Sequence, residues 1–302
     1  MTVAVVGPTA SGKSAVALAA ARAAGDVEIV SVDAFGVYRG MDIGTAKPTA
    51  AERADVAHHL LDLAEPSEDF TVVRFVDAYD DAMGGIAARG HAALLVGGTG
   101  LYLRAVVDRF EPPGEWPDRR AEIEREPDTT VLHARLAALD PAAAAKMEPT
   151  NRRRVVRALE VCLGSGRPFS SFGPGVDAYP PSLVAQVGLR WPRPLLTARI
   201  EERFRRMLHD GLLAEVERLA AGPWSRTARQ AAGYRELLDH LAGRTSLDEA
   251  TELAITHTRQ LAVRQERWFR RDPRIEWVDV DDDPLVAVPV VLRHLRGRSP
   301  AP

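Results

Sequence analysis

The stretch Gly7-Pro8-Thr9-Ala10-Ser11-Gly12-Lys13-Ser14 constrains this chain more than any other. It matches GxxxxGK[ST] and lies between a short apolar run, Thr2–Val6, and an Ala-rich helical stretch, Ser14–Ala24, which Gly25 stops. Glycines let a backbone fold around an anion, and successive N–H groups together with the following helix N-terminus supply positive potential. Gly7 through Ser14 are therefore expected to cradle a di- or triphosphate. Lys13 adds a mobile charge, and the Ser14 hydroxyl can hold Mg²⁺.

Further apolar runs at Val27–Val32, Ala92–Val96, Leu183–Leu189 and Ile275–Val280 read as buried strands. Helical patterns separate them, at Phe70–Ala88, Leu195–Leu219 and Ser246–Phe269, the last with a capping box of Ser246 and Glu249. Alternating strands and helices predict an α/β fold, a P-loop NTPase-like parallel sheet flanked by helices. Residues 113–180 differ: Pro- and Gly-rich edges enclose short helical patterns and no clear strand. They predict a mostly helical inserted domain, within a core made of 1–112 and 181–302. Val155–Leu163 fits either part.

Lys plus Arg total 39 and Asp plus Glu 42, for a net charge of −3, and no apolar run approaches the ~20 residues of a membrane span. The single cysteine, Cys162, follows a helical apolar pattern and reads as core, and no Cys/His set has zinc spacing. Adjacent His58 and His59 point to different faces of any regular element and read as structural. A cytoplasmic monomer with no membrane partner is expected.

A nucleotide hydrolase usually places an Asp at the end of a second strand to hold Mg²⁺. Here Ala92–Val96 runs into Gly97-Gly98-Thr99-Gly100 without a carboxylate, whereas Val27–Val32 ends at Asp33. Parallel strands open their C-terminal ends onto one crevice, so the cradle, Asp33 and Thr99 are expected to converge. Asp33 either takes a proton from an acceptor or caps a loop or helix. Charge is uneven along the chain. Arg152, Arg153, Arg154 and Arg157 form one basic cluster, and six arginines lie between Arg259 and Arg274. Arg264, Arg267 and Arg271 share one helical face, with Trp268 and Phe269 among them. These clusters either touch nucleic-acid phosphates, with aromatics stacking on splayed bases, or form solvated faces beside core aromatics.

Taken in order, several strings resemble the tRNA dimethylallyltransferases: GPTASGKS at 7–14, Ser31-Val32-Asp33, and Val37 through Pro48 with its core GMDIGTAKP. So do His58-His59-Leu60-Leu61-Asp62, Gly97 through Tyr102, Arg157 through Val161, Arg199 through Arg203, Gly233 through Glu236, and Thr258 through Leu261 with Arg264-Gln265. The resemblance spans residue 7 to about 270. It implies transfer of a dimethylallyl group from dimethylallyl diphosphate to N6 of adenosine 37, beside the tRNA anticodon. The loop would then hold the diphosphate leaving group, with Lys13, Ser14 and Arg203 around it and its Mg²⁺. Asp33 matches the general base and Thr99 a threonine at the reaction centre. The anticodon stem-loop would be met by Asp33, Ala34, Phe35, Gly36, Thr99, Arg120, Arg153, Arg154, Arg157, Gly233, Tyr234, Arg235, Arg264, Gln265, Arg267 and Arg271. The chain departs from the family at Ala34 and Gly36, where serine and glutamine are usual. Three other readings compete: an ATP-dependent small-molecule kinase, prenyl transfer to free adenine nucleotides, and a non-catalytic RNA-binding module.

Overall fold

The structure is a computed structural model that describes residues 1–109, 113–173 and 178–297. The chain divides into two compact units, Met1–Val107 with Pro181–Pro302, and Asp108–Pro180. The edge between them falls at Asp108 rather than at 113.

In the first unit six parallel strands, β1 (Thr2–Val6), β2 (Val27–Ser31), β3 (His58–His59), β4 (Ala92–Gly97), β5 (Ala185–Arg190) and β6 (Ile275–Asp279), form one sheet in the order β3-β2-β4-β1-β5-β6. Both faces are covered, which is why the inner strands read as continuous apolar runs. Val3, Val5, Ile29, Leu94 and Val187 pack on one side with Val16 and Val291, from the helices Lys13–Ala24 and Val288–Leu295. Ala4, Val6, Val30, Ala93 and Leu95 pack on the other, under Phe75 of Val72–Ala88, Leu103 of Gly100–Val107, and Ala254 and Phe269 of Leu247–Phe269. The expected capping box closes that last helix at its start: Glu249 N–H donates to Ser246 Oγ at 3.2 Å.

Two elements differ from expectation. The pattern Leu195–Leu219 folds as two helices, Arg193–His209 and Leu212–Ala220, because Gly211 adopts φ +103° between them. A left-handed residue ends one helix and re-aims the next. β3 carries no apolar pattern and pairs through two residues only. Its histidines are structural: His58 Nδ1 lies 2.7 Å from Val56 O, and His59 Nε2 lies 2.5 Å from Oε2 of buried Glu28.

The second unit has its own core, built from Ile123, Leu132, Leu136, Val155 and Leu159. These come from the helices Pro117–Glu124, Thr129–Leu139 and Arg152–Ser165, so Val155–Leu163 belongs here. Among the described residues it contains no strand. Cys162 is buried, and its Sγ accepts the Phe169 N–H at 3.3 Å.

Candidate active site

The loop after β1 is shaped by backbone conformations that favour glycine. Gly7 has φ +144° and Gly12 φ +90°, and a Cβ on Gly12 would come within 2.5 Å of Pro284 Cγ. The loop ends at the first turn of Lys13–Ala24, where Ser14 is exposed. Its outer wall is braced from afar. Trp191 Nε1 donates to Ser11 O at 3.0 Å, Arg199 Nε donates to Ala10 O at 3.1 Å, and the Arg199 guanidinium sits 4.3 Å over the Trp191 ring. Ser11 Oγ is buried without a partner.

Two cations converge on this loop. Lys13 Nζ donates to Pro8 O at 2.6 Å, and Arg203 Nη1 reaches Thr9 Oγ1 at 3.5 Å. Burial, then the nearby Arg203 charge, pull the Lys13 ammonium down to about 7, against the opposing pull of Asp33. Burial also lowers Arg203, again opposed by Asp33. Two desolvated cations that repel each other and share one carboxylate form a site complementary to a multiply charged anion.

Asp33 follows β2 and does two things at once. Its Oδ1 accepts the N–H groups of Phe35 at 2.8 Å and Gly36 at 3.1 Å. The cap foreseen from the sequence is therefore real, yet it uses one oxygen. Oδ2 receives no hydrogen bond among the described residues, so capping and proton acceptance are compatible. Thr99, after β4, accepts the Ala34 N–H on its Oγ1 at 3.0 Å, tying the two strand-end loops together. Ala34 and Phe35 are half-buried, and Gly36 is buried. β4 sits between β1 and β2, so the three loop ends are neighbours, as the parallel topology requires.

Among the residues read as RNA contacts, the structure separates free from engaged. Arg153 and Arg154 are exposed on Arg152–Ser165 with no ion pair among the described residues, as are Arg264 and Arg267 on Leu247–Phe269; Arg271 lies 5.4 Å over the Trp268 ring. Arg157 is engaged, donating to Glu160 Oε1 at 2.9 Å, Pro113 O at 2.7 Å and Gly114 O at 3.0 Å. Arg120 is paired with Glu124 at 2.9 Å and Glu160 at 3.4 Å. Tyr234 corrects the sequence reading. It is fully buried, and its hydroxyl donates to Glu215 Oε1 at 2.5 Å, so it faces the core rather than a partner. Gly233, at φ +94°, is buried against Phe204, and Arg235 is held by Glu236 at 2.7 Å. Gln265 also lies inward, bonded to backbone at both ends of its amide. Phe269 is core, with 2% exposure.

Sequence reasoning missed Glu215. Buried at 3% exposure, it accepts the N–H groups of Asp42 at 2.9 Å, Ile43 at 2.8 Å and Gly44 at 3.3 Å. The GMDIGTAKP string, the most distinctive in the chain, is thus a locked loop whose anchor lies 173 positions away from Asp42.

Residues 36–272 match the family described as IPP transferase. The tRNA dimethylallyltransferase of Kineococcus radiotolerans is 49% identical over 99% of this chain and 98% of its own, and that of Salinispora arenicola 48% over 94% and 84%. The chain belongs to this family. A solved tRNA isopentenylpyrophosphate transferase from Bacillus halodurans matches with a TM-score of 0.71 and 36% identity, covering 98% of this chain and 97% of that one. A eukaryotic dimethylallyltransferase solved acting on tRNA matches at 0.78 and 25%, covering 93% and 74%.

Proposed function

We propose that this protein transfers a dimethylallyl group from dimethylallyl diphosphate to N6 of adenosine 37 in the tRNA anticodon loop. One observation carries the reading: Asp33, with one carboxylate oxygen unengaged, acts electrostatically on both Lys13 and Arg203 across the strand ends. The adenine N6 amine is a poor nucleophile, because its lone pair is delocalised into the ring. Alkylation becomes feasible when a carboxylate takes the departing proton. As the N6–carbon bond forms, the allylic carbon–oxygen bond breaks and the electron pair leaves on diphosphate. The loop N–H groups, Lys13 and Arg203 stabilise that charge. Thr99 holds the Asp33 loop through Ala34 N–H. The exposed Ser14 hydroxyl, a hard oxygen at the loop end, fits Mg²⁺, which binds through few protein oxygens plus the phosphates of its substrate. When bound it would supply further neutralisation of the leaving group. Arg153, Arg154, Arg264 and Arg267, exposed and unpaired among the described residues, carry charge suited to RNA phosphates. The base must leave its stack to be alkylated.

The direct test incubates the protein with labelled dimethylallyl diphosphate, Mg²⁺ and tRNA, then digests the RNA and assays N6-modified adenosine. ATP-dependent phosphorylation of a small acceptor, with no modified tRNA, would sink the proposal. Asp33→Asn is expected to lower turnover by about 10²–10⁴ while both substrates bind within a few-fold of wild type.

A further inference from the structure

Gln265 is read from the sequence as an RNA contact, yet the structure gives both halves of its amide other partners. Its Oε1 accepts the Thr9 N–H of the phosphate loop at 2.8 Å, and its Nε2 donates to Gly98 O, next to Thr99, at 3.1 Å. Thr9 also receives Arg203 at 3.5 Å, and Thr99 accepts Ala34 N–H beside Asp33 at 3.0 Å. One bonded path therefore runs from Arg203 through Thr9, Gln265, Gly98 and Thr99 to the Asp33 loop. Within it, Gln265 is the side chain that joins the leaving-group side to the proton-accepting side.

The fit is specific on every side. A Cβ on Gly98 would overlap Gln265 Nε2, so only glycine leaves room for the amide to seat. One turn later on the same helix, Trp268 covers Gly100 so closely that a Cβ there would overlap its ring. The helix thus presses two side chains onto the loop after β4. Bridging a backbone donor and a backbone acceptor at once needs a neutral amide. A carboxylate would face Gly98 O with a second acceptor and set a negative charge beside the diphosphate cradle.

We infer that Gln265 is a positioning residue that fixes the spacing between the phosphate loop and the Thr99–Asp33 loops. This rests on the prenyl-transfer reading of the crevice. Among the described residues Gln265 bonds to the backbone of Thr9 and Gly98 and to none of Asp33, Lys13 or Arg203. Its effect is on how well the two halves are aligned when the amine meets the allylic carbon, where a displacement of about 1 Å can cost about 10²-fold in rate.

The experiment compares wild type with Gln265→Leu, Gly98→Ala and the double variant. Amide exchange over residues 7–14 is read without substrates, and kcat and both KM values are read in the transfer assay. Gln265→Leu is expected to speed exchange at Thr9 and to lower kcat by about 10²-fold, with both KM values within about fivefold of wild type. The double variant is expected to lose less than the product of the single losses, since both changes unseat one amide. Unchanged exchange at Thr9 overturns the clamp whatever the activity. So does a rise of tenfold or more in the tRNA KM with kcat intact, which marks a direct RNA contact, or a kcat loss matched by the unfolded fraction in a melting curve. Wild-type protein that modifies no tRNA overturns the functional reading instead, and the exchange arm still decides the clamp.

Discussion

Lys13 and Lys47 sit in two loops of the same unit and have opposite chemistry. Lys47, at 2% side-chain exposure, donates to Tyr38 O at 2.5 Å, Asp42 Oδ1 at 2.8 Å and Asp62 Oδ1 at 2.6 Å, so all three of its protons are committed. Among the described residues Lys13 has one hydrogen-bond acceptor, Pro8 O, and burial, with the cationic Arg203 beside it, pulls it down to about 7. Lys47 completes a structure, whereas Lys13 keeps donors to spare among the described residues. Each lies in a family-like string, GMDIGTAKP and GPTASGKS; the second pattern marks its lysine as a charge for phosphate, whereas nothing in the first marks Lys47 as structural. The difference teaches that the count of satisfied donors, rather than the distinctiveness of a motif, separates a working cation from a structural one.

Lys13→Met presses hardest on this contrast. Turnover should fall by about 10²–10³, as when one donor to developing charge is removed, while the melting temperature holds or rises because a desolvated ammonium is gone. A large loss of stability would make Lys13 structural and erase the distinction. Lys47→Met should do the reverse. Denaturant unfolding should show a loss of about 3 kcal/mol, the low end for breaking a buried pair, since Asp42 and Asp62 keep partial access to water. Turnover per folded molecule should stay within a few-fold.

A pH series sharpens the same contrast with a smaller effect. Burial holds the Lys13 ammonium of the free protein down at about 7, and a diphosphate bound beside it would raise it. Above pH 7 the complex therefore holds a proton that the free protein has lost, and affinity falls by up to about tenfold per pH unit; below pH 7 it is flat with respect to this group. Calorimetry in buffers of different ionisation heat should show proton uptake at pH 8 that Lys13→Met lacks. Identical uptake in the variant would assign the proton elsewhere.

The arginines repeat the comparison at the smallest scale. Arg153→Ala with Arg154→Ala should flatten the slope of log K against log salt for tRNA by roughly 0.7–0.9 per lost contact and leave stability alone. Arg157→Ala should instead loosen the second unit, whose Pro113 and Gly114 carbonyls it holds. An equal salt effect from both changes would dissolve the distinction between free and engaged charge.

What the sequence disclosed follows contact range. The loop at 7–14 between a strand and a helix, the strand before Asp33, and the Ser246 capping box are local patterns, and all appear where the residues indicate. Convergence of Thr99 with Asp33 was also legible, because a parallel sheet forces it. Glu215, Trp191 and the inward turn of Gln265 were not. Their partners lie 173, 180 and 256 positions away, beyond any periodicity. Gly211 was available as a signal, since a glycine inside a helical pattern marks a break.

The braces on the phosphate loop also set an order of events during synthesis. Thr9 waits for Gln265, Ser11 waits for Trp191, and β1 lies between β4 and β5, the second of which is made long after it. Contacts of such wide separation close late and slow the search for the native state. A chain emerging N-terminus first therefore displays the loop at 7–14 early, as slack peptide, and completes it only when Leu247–Phe269 docks. A loop made well before its braces is thus among the last parts of the molecule to be finished.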